Sequence, residues 1–193
     1  MKKVFLLCLV FLSHNLFAND ILYVSSVKNL YETSQSSVSK GRILPTSKIE
    51  ILDEVDNRYK VKVVGYVKEE VEYALYFTYK NRILVAGLSK NNNFEVINSK
   101  KVDDKEFSDF KELEIIAYID KDNLTKDLNA LYKKANELYS NNCGICHSAH
   151  DKKEFVANLW PSVMKSMLSR TALTKEDNYL VVQYLQKHSK DME

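Results

Sequence analysis

The sequence predicts an α+β chain in which a leader, residues 1–18, precedes a small antiparallel β domain, residues 19–126, and a short all-α domain, residues 127–193. Three observations predict it. Short runs of β-branched and aromatic residues, broken by turn formers, fill the stretch from Ile21 to about Lys126. Beyond Asp120 the apolar spacing changes to that of helices. The first eighteen residues carry a basic end, an apolar core and a small residue at their close.

In the leader, Lys2 and Lys3 form the positive end, Val4 to Leu12 the apolar core, and Leu16-Phe17-Ala18 the cleavage site. As a helix, Val4 to Ala18 would reach only about 22 Å against a hydrocarbon core of roughly 30 Å. Cleavage is therefore expected over retention as an anchor. Cys8 lies inside the apolar core and leaves with it.

The strands follow in order. Ile49-Glu50-Ile51 precedes a polar turn from Asp53 to Asn57, and Tyr59-Lys60-Val61-Lys62-Val63 follows with apolar residues at every second position. Val71 to Tyr79 and Ile83 to Leu88 are joined by Lys80-Asn81-Arg82. Three asparagines at 91–93 lead into Phe94 to Ile97, and Leu113 to Ile119 closes the half. Strands at this spacing predict a compact barrel or sandwich. Gly41 to Leu52, followed by Tyr59 to Val67, resembles the opening strands of bacterial SH3-like domains, which implies an SH3-like barrel.

In the helical half, Leu124, Leu128, Leu131, Tyr132, Ala135, Leu138 and Tyr139 share one face of a helix that runs straight into Cys143. A second helix is expected over Leu159 to Ser169. A third begins at Thr174, whose hydroxyl can cap the Asp177 amide while Asp177 bonds back; Val181, Val182, Tyr184 and Leu185 supply its buried side.

Composition narrows the function. Removing residues 1–18 takes away two lysines and no acid, leaving 26 basic against 26 acidic residues, so no basic excess points to nucleic acid. The remaining cysteines, Cys143 and Cys146, are too few for a disulfide framework in an exported protein.

Those two cysteines stand in Cys143-Gly144-Ile145-Cys146-His147. Two thiols at this spacing can add to the two vinyl groups of one haem, and the next residue supplies the proximal imidazole. The chain therefore reads as a c-type cytochrome with one covalent haem c, Cys143 and Cys146 attaching it and His147 as the proximal iron ligand. A zinc site would need the adjacent Cys146 and His147 plus His150 on one ion, a cramped arrangement. A redox-active thiol pair would need no histidine after the second cysteine.

For the sixth position the candidates are His150, His188, Met164, Met167 and Met192. His150 sits on the proximal side and Met192 in the tail. Trp160, Met164 and Met167 fall at i, i+4 and i+7 on the second helix, one apolar face suited to a haem. Either methionine can ligate; the alternative is that both fill the core, leaving the iron open or bound by His188. A His/Met pair raises the potential and suits electron transfer.

Ala157 to Met167, read with the haem motif and with Tyr184-Leu185-Gln186-Lys187-His188, resembles the C-terminal monohaem part of TorC-type pentahaem cytochromes of the TMAO reductase system. The resemblance spans roughly Tyr23 to His188. It implies that Cys143 and Cys146 are the attachment cysteines, His147 the proximal ligand, Met167 the distal ligand with Met164 as fallback, and Trp160 a haem-packing residue. It further implies a periplasmic electron carrier, not an enzyme, that serves a molybdenum-containing reductase of N- or S-oxides such as TMAO or DMSO. The chain is expected to lack the membrane-anchored tetrahaem section of that family, and the expected electron donor is then a separate membrane cytochrome or a soluble carrier. The rival reading is a haem-based periplasmic redox or gas sensor. No acid–base cluster marks the β half for catalysis.

Overall fold

The alternation at Tyr59–Val63 is the visible part of a longer ladder. The computed structural model describes residues 20–145 and 148–192, so the leader at 1–18 lies outside the described residues. Among the described residues ten strands occur in order: β1 (Ile21–Val24), β2 (Lys28–Leu30), β3 (Gly41–Ile43), β4 (Lys48–Val55), β5 (Arg58–Lys68), β6 (Ala74–Tyr76), β7 (Leu84–Leu88), β8 (Glu95–Lys101), β9 (Phe110–Asp120) and β10 (Leu124–Thr125). The helices follow as α1 (Leu128–Cys143), α2 (Trp160–Met167), a 3-10 turn at Leu168–Arg170, and α3 (Lys175–Lys187).

All ten strands belong to one antiparallel sheet, ordered β10-β1-β4-β5-β6-β7-β3-β2, with β9 on the other flank of β5 and β8 beyond it. β5 and β9 pair along their whole length, from Arg58 opposite Asp120 to Lys68 opposite Phe110. The sheet curls until Tyr31, just past β2, exchanges backbone hydrogen bonds with Tyr118 of β9 at 2.9 and 2.8 Å. Register shifts at Ile51/Asp53, Leu75/Tyr76 and Val96/Asn98 supply bends, since a bulged strand twists more sharply. Gly65 lets β5 and β6 close up: a Cβ there would meet the Leu75 Cβ at 2.8 Å and the Tyr76 carbonyl oxygen at 3.1 Å.

The expected turn at Asp53–Asn57 shortens to Asp56-Asn57, because β4 runs on to Val55 and pairs with Arg58. Asp56 takes φ 55°, a left-handed geometry that Asp tolerates in a tight hairpin. The concave side of the sheet buries Val24, Leu30, Ile43, Val61, Leu75 and Ile119 with no exposed surface.

The expected architecture, a small SH3-like barrel followed by an all-α c-type cytochrome domain, is not the one that forms. Strand outweighs helix in a curled antiparallel half-barrel sheet, and the C-terminal part adds three α-helices among the described residues. The physical reason is that the helices, although they share a small apolar cluster, are few and short beside the sheet. α2 has only eight residues, and the stretch between α1 and α2 has no long regular element. The sheet adds partners to that cluster. Gln183 Nε2 donates to the Leu84 carbonyl at 2.9 Å, Lys187 Nζ donates to the Thr46 carbonyl and hydroxyl at 3.1 and 2.8 Å, and Tyr23 of β1 packs against the helical cluster.

Helix details follow local chemistry. The first helix starts at Leu128 rather than Leu124, because Leu124 and Thr125 pair with β1 as β10 and Asp127 caps the Ala130 amide at 2.9 Å. Thr174 caps α3 as expected, accepting from the Asp177 amide at 3.1 Å while its hydroxyl donates to the Asp177 carboxylate at 2.6 Å.

Candidate functional site

Three elements converge on one cleft. The last turn of α1 brings Tyr139, Asn142 and Cys143; the segment that re-emerges after the motif brings Ala149 and His150; α2 and the turn beyond it bring Trp160, Val163, Met164, Met167, Arg170 and Thr171. The cleft encloses about 700 Å³ out to its mouth, within the range of small-molecule and cofactor sites. Its walls are mainly apolar.

α1 stops at Cys143 because Gly144 turns the chain: its N–H donates back to the Ser140 carbonyl at 3.1 Å, and a Cβ there would meet that same oxygen at 2.8 Å. The motif thus leaves the helix at a point where only glycine fits without a shift. Ile145 follows with three quarters of its surface exposed. Cys146 and His147 lie outside the described residues. Burial pushes the Cys143 thiol above its ordinary value.

Trp160 is fully buried at the start of α2, and its indole N–H donates to the Lys152 carbonyl at 3.2 Å. Edge-on contacts join it to Tyr139 and Phe155, with ring centroids 6.1 and 5.1 Å away. The Tyr139 hydroxyl donates to the His150 carbonyl at 2.9 Å, so one side chain ties the helix before the motif to the loop after it. Burial foremost, and next the neighbouring Cys143 thiol, pushes Tyr139 up to about 12, so the wall stays uncharged at working pH.

Of the sequence-predicted residues, Cys143, Trp160, Met164 and Met167 are brought together. The two methionines differ in setting. Met164 is 2% exposed and belongs to the helical apolar cluster with Leu131, Ala135 and Tyr184, whereas Met167 is only half-buried at the cleft. His188 is not among the cleft's lining residues: its ring lies against Tyr132 and Tyr184, its Nδ1 donates to the Tyr184 carbonyl at 2.8 Å, and burial holds it below the ordinary histidine value. His150 does line the cleft, with Nδ1 2.9 Å from both oxygens of Glu154. Sequence reasoning placed Tyr139 only on a buried face; its position four residues before Cys143 was the available signal for a place at the site. Arg170 and Thr171 gave no such signal, since they lie past the helix on a turn.

The apolar walls, the half-buried thiol and two thioethers on one helix face fit a haem better than a zinc ion, which takes nitrogen, thiolate or carboxylate ligands. Comparison with known proteins agrees in class: the relatives are cytochrome c-type proteins. The chain belongs to the TorC third cytochrome c domain family, whose model matches residues 17–124. That match covers β1 to β9, reaches the first residue of β10 and ends before Cys143. Cytochrome c-type protein TorC of Escherichia coli (strain K12) is 23% identical over 176 residues, which is 90% of this chain and 45% of that protein. Cytochrome c-type protein TorY of Haemophilus influenzae is 35% identical over 85 residues, 44% of this chain and 23% of that protein. TorY of Escherichia coli O157:H7 is 21% identical over 182 residues, covering 93% and 50%. The chain thus spans about half the length or less of these relatives, and no solved structure matches it. A cytochrome c family implies haem c. Among the described residues no helix is long and apolar enough to cross a membrane.

Proposed function

We propose that the chain is an exported periplasmic electron carrier holding one haem c in the cleft between α1 and α2, and that it delivers electrons to a molybdenum-containing N- or S-oxide reductase of the TMAO/DMSO type. The observation that carries this reading is the convergence of the Cys143 thiol, Trp160 and both α2 methionines on a single apolar cleft. When bound, the haem would supply an iron that exchanges one electron. Cys143 and Cys146 are its attachment points and His147 its proximal ligand.

Met167 is the distal ligand in this reading. Its side chain is the less committed of the two, while Met164 already fills the helical core and stands as fallback. Trp160, locked by its hydrogen bond and its aromatic neighbours, keeps the wall in place. Tyr139 holds the two ends of the motif segment at a fixed separation. A site so fixed opposes reorganisation, which favours electron transfer over substrate chemistry. The electron donor is a membrane or soluble carrier, and the TorC and TorY names of the relatives support the TMAO reductase system as the setting.

The test is the absorption spectrum of the purified holoprotein, scanned in the ferric state for the weak band near the red end given by a methionine sulfur on iron. Loss of the band in Met167→Ala and its survival in Met164→Ala would support the carrier. An absent band, together with ready carbon monoxide uptake by the ferrous form, would overturn it in favour of the sensor.

A further inference from the structure

A second groove lies between the β6–β7 connection and the start of α2, and the haem cleft does not use it. Its floor is aromatic: Tyr79 meets Phe107 at a centroid distance of 5.4 Å, Phe107 meets Phe110 at 6.1 Å, and Tyr66 backs Tyr79 at 5.3 Å. The space it encloses is about 810 Å³ out to its mouth, room for a large side chain and its neighbours.

Three exposed cations, Lys68, Lys80 and Arg82, stand among the lining residues, and no carboxylate does. Lys68 is paired with Asp109 at 2.9 Å. Lys80 Nζ sits 5.7 Å above the Tyr79 ring, and neither it nor the Arg82 guanidinium has a carboxylate partner among the described residues. Asp191, behind Asn81, is already engaged by the Ala157 amide at 2.7 Å and the Ser189 hydroxyl at 2.8 Å. The groove is tied to the segment that leads into the cleft's helix: the Arg82 amide donates to Asn158 Oδ1 at 2.7 Å, two residues before Trp160.

We propose that this groove docks an acidic segment of the redox partner that presents an aromatic or large apolar side chain. The inference rests on the electron-carrier reading for its partner and on the groove for its chemistry. Arg82 can take a carboxylate in a two-pronged bond, Lys80 adds a point charge, and the aromatic floor accepts the anchor that usually dominates such contacts. A partner seated here lies beside the helix that bears Trp160, so it is brought close to the haem cleft. Nucleic acid fits less well, because tight binding there needs many phosphates neutralised and only two cations are uncommitted.

The test uses the holoprotein and two acidic hexapeptides that differ only in a central Trp or Ala, with binding followed by nuclear magnetic resonance shifts at low ionic strength. The Trp peptide should bind about ten-fold tighter than the Ala peptide, and Arg82→Glu should weaken it by about ten-fold while leaving the haem spectrum unchanged. Equal binding of the two peptides, indifference to Arg82→Glu, or tighter binding of a single-stranded oligonucleotide would each overturn the proposal. A parallel measurement of electron delivery to a purified TMAO reductase separates the two readings. Peptide binding as expected with no delivery by the wild type keeps the surface and removes that reductase as partner; delivery that Arg82→Glu does not slow removes the docking surface alone.

Discussion

Replacing Lys187 by methionine is expected to change how stability depends on pH. Lys187 closes α3 over the sheet, with Nζ donating to the Thr46 carbonyl and hydroxyl and standing 4.6 Å above the Phe77 ring. The residue keeps some solvent contact, but its charged end is the buried part, and burial pulls its pKa down from 10.5 to about 7. Between those values the unfolded chain binds a proton that the folded chain does not, so stability rises with pH; below about 7 both states are charged and the full cost of burying the ammonium is present. That fall sets a ceiling of about 5 kcal/mol. Partial solvent contact reduces the expected effect to ~1–2 kcal/mol. Methionine removes the charge and also the two bonds to Thr46, a loss that is constant with pH. The diagnostic is therefore the difference between wild type and Lys187→Met, measured by urea unfolding of the holoprotein at pH 6 and pH 10. It should move by ~1–2 kcal/mol toward the variant at pH 6. Parallel profiles for the two proteins would refute the argument that the ammonium is buried at a cost.

Other changes test other parts. Trp160→Ala removes a fully buried side chain and its indole bond, and should cost about 3–5 kcal/mol in chemical unfolding. Thr174→Ala loses the cap of α3 for about 1 kcal/mol, while Thr174→Ser should keep most of it. Arg58 lies 3.4 Å over the Tyr31 ring and donates to the carbonyls of Ser34 and Ser36 at 3.1 and 2.8 Å, so Arg58→Lys should speed amide exchange locally at residues 31–36 without a comparable change in β5.

Much of the local structure was legible because it depends on neighbours in sequence. The Tyr59–Val63 alternation, the Thr174 cap and the Leu131/Ala135/Tyr139 face all appear where their spacing placed them. The extended run expected over Val71–Tyr79 shrinks to Ala74–Tyr76, since two turns, at 69–70 and 72–73, precede it, with Glu70 at φ 72°. β8 extends well past Ile97 to Lys101, yet every residue of it is exposed, so no alternation could mark it. The contacts between the helices and the sheet were illegible for a similar reason. Gln183 and Lys187 are polar, and a polar residue on α3 reads as a solvated face until the sheet carbonyls it reaches are known. At the site, Cys143, Trp160, Met164 and Met167 could be named from spacing alone, whereas the exclusion of His188 depends on two tyrosine rings from different helices.

The ladder between β5 and β9 also sets an order of events. Each pair in it joins residues far apart in the chain, and the bridge from Tyr31 to Tyr118 spans farther still. Contacts of such separation form slowly, because a long loop must close before any of them gives a return. As the chain emerges from its N-terminus, the sheet has nothing to close upon until Asp120 is free, and by then the segment bearing Cys143 is next to appear. α3, which is tied to the sheet at Leu84 and Thr46, follows later. The Cys143 thiol thus passes through an interval in which the cleft around it has not yet formed, and on the proposed reading this is when haem attachment has open access to it.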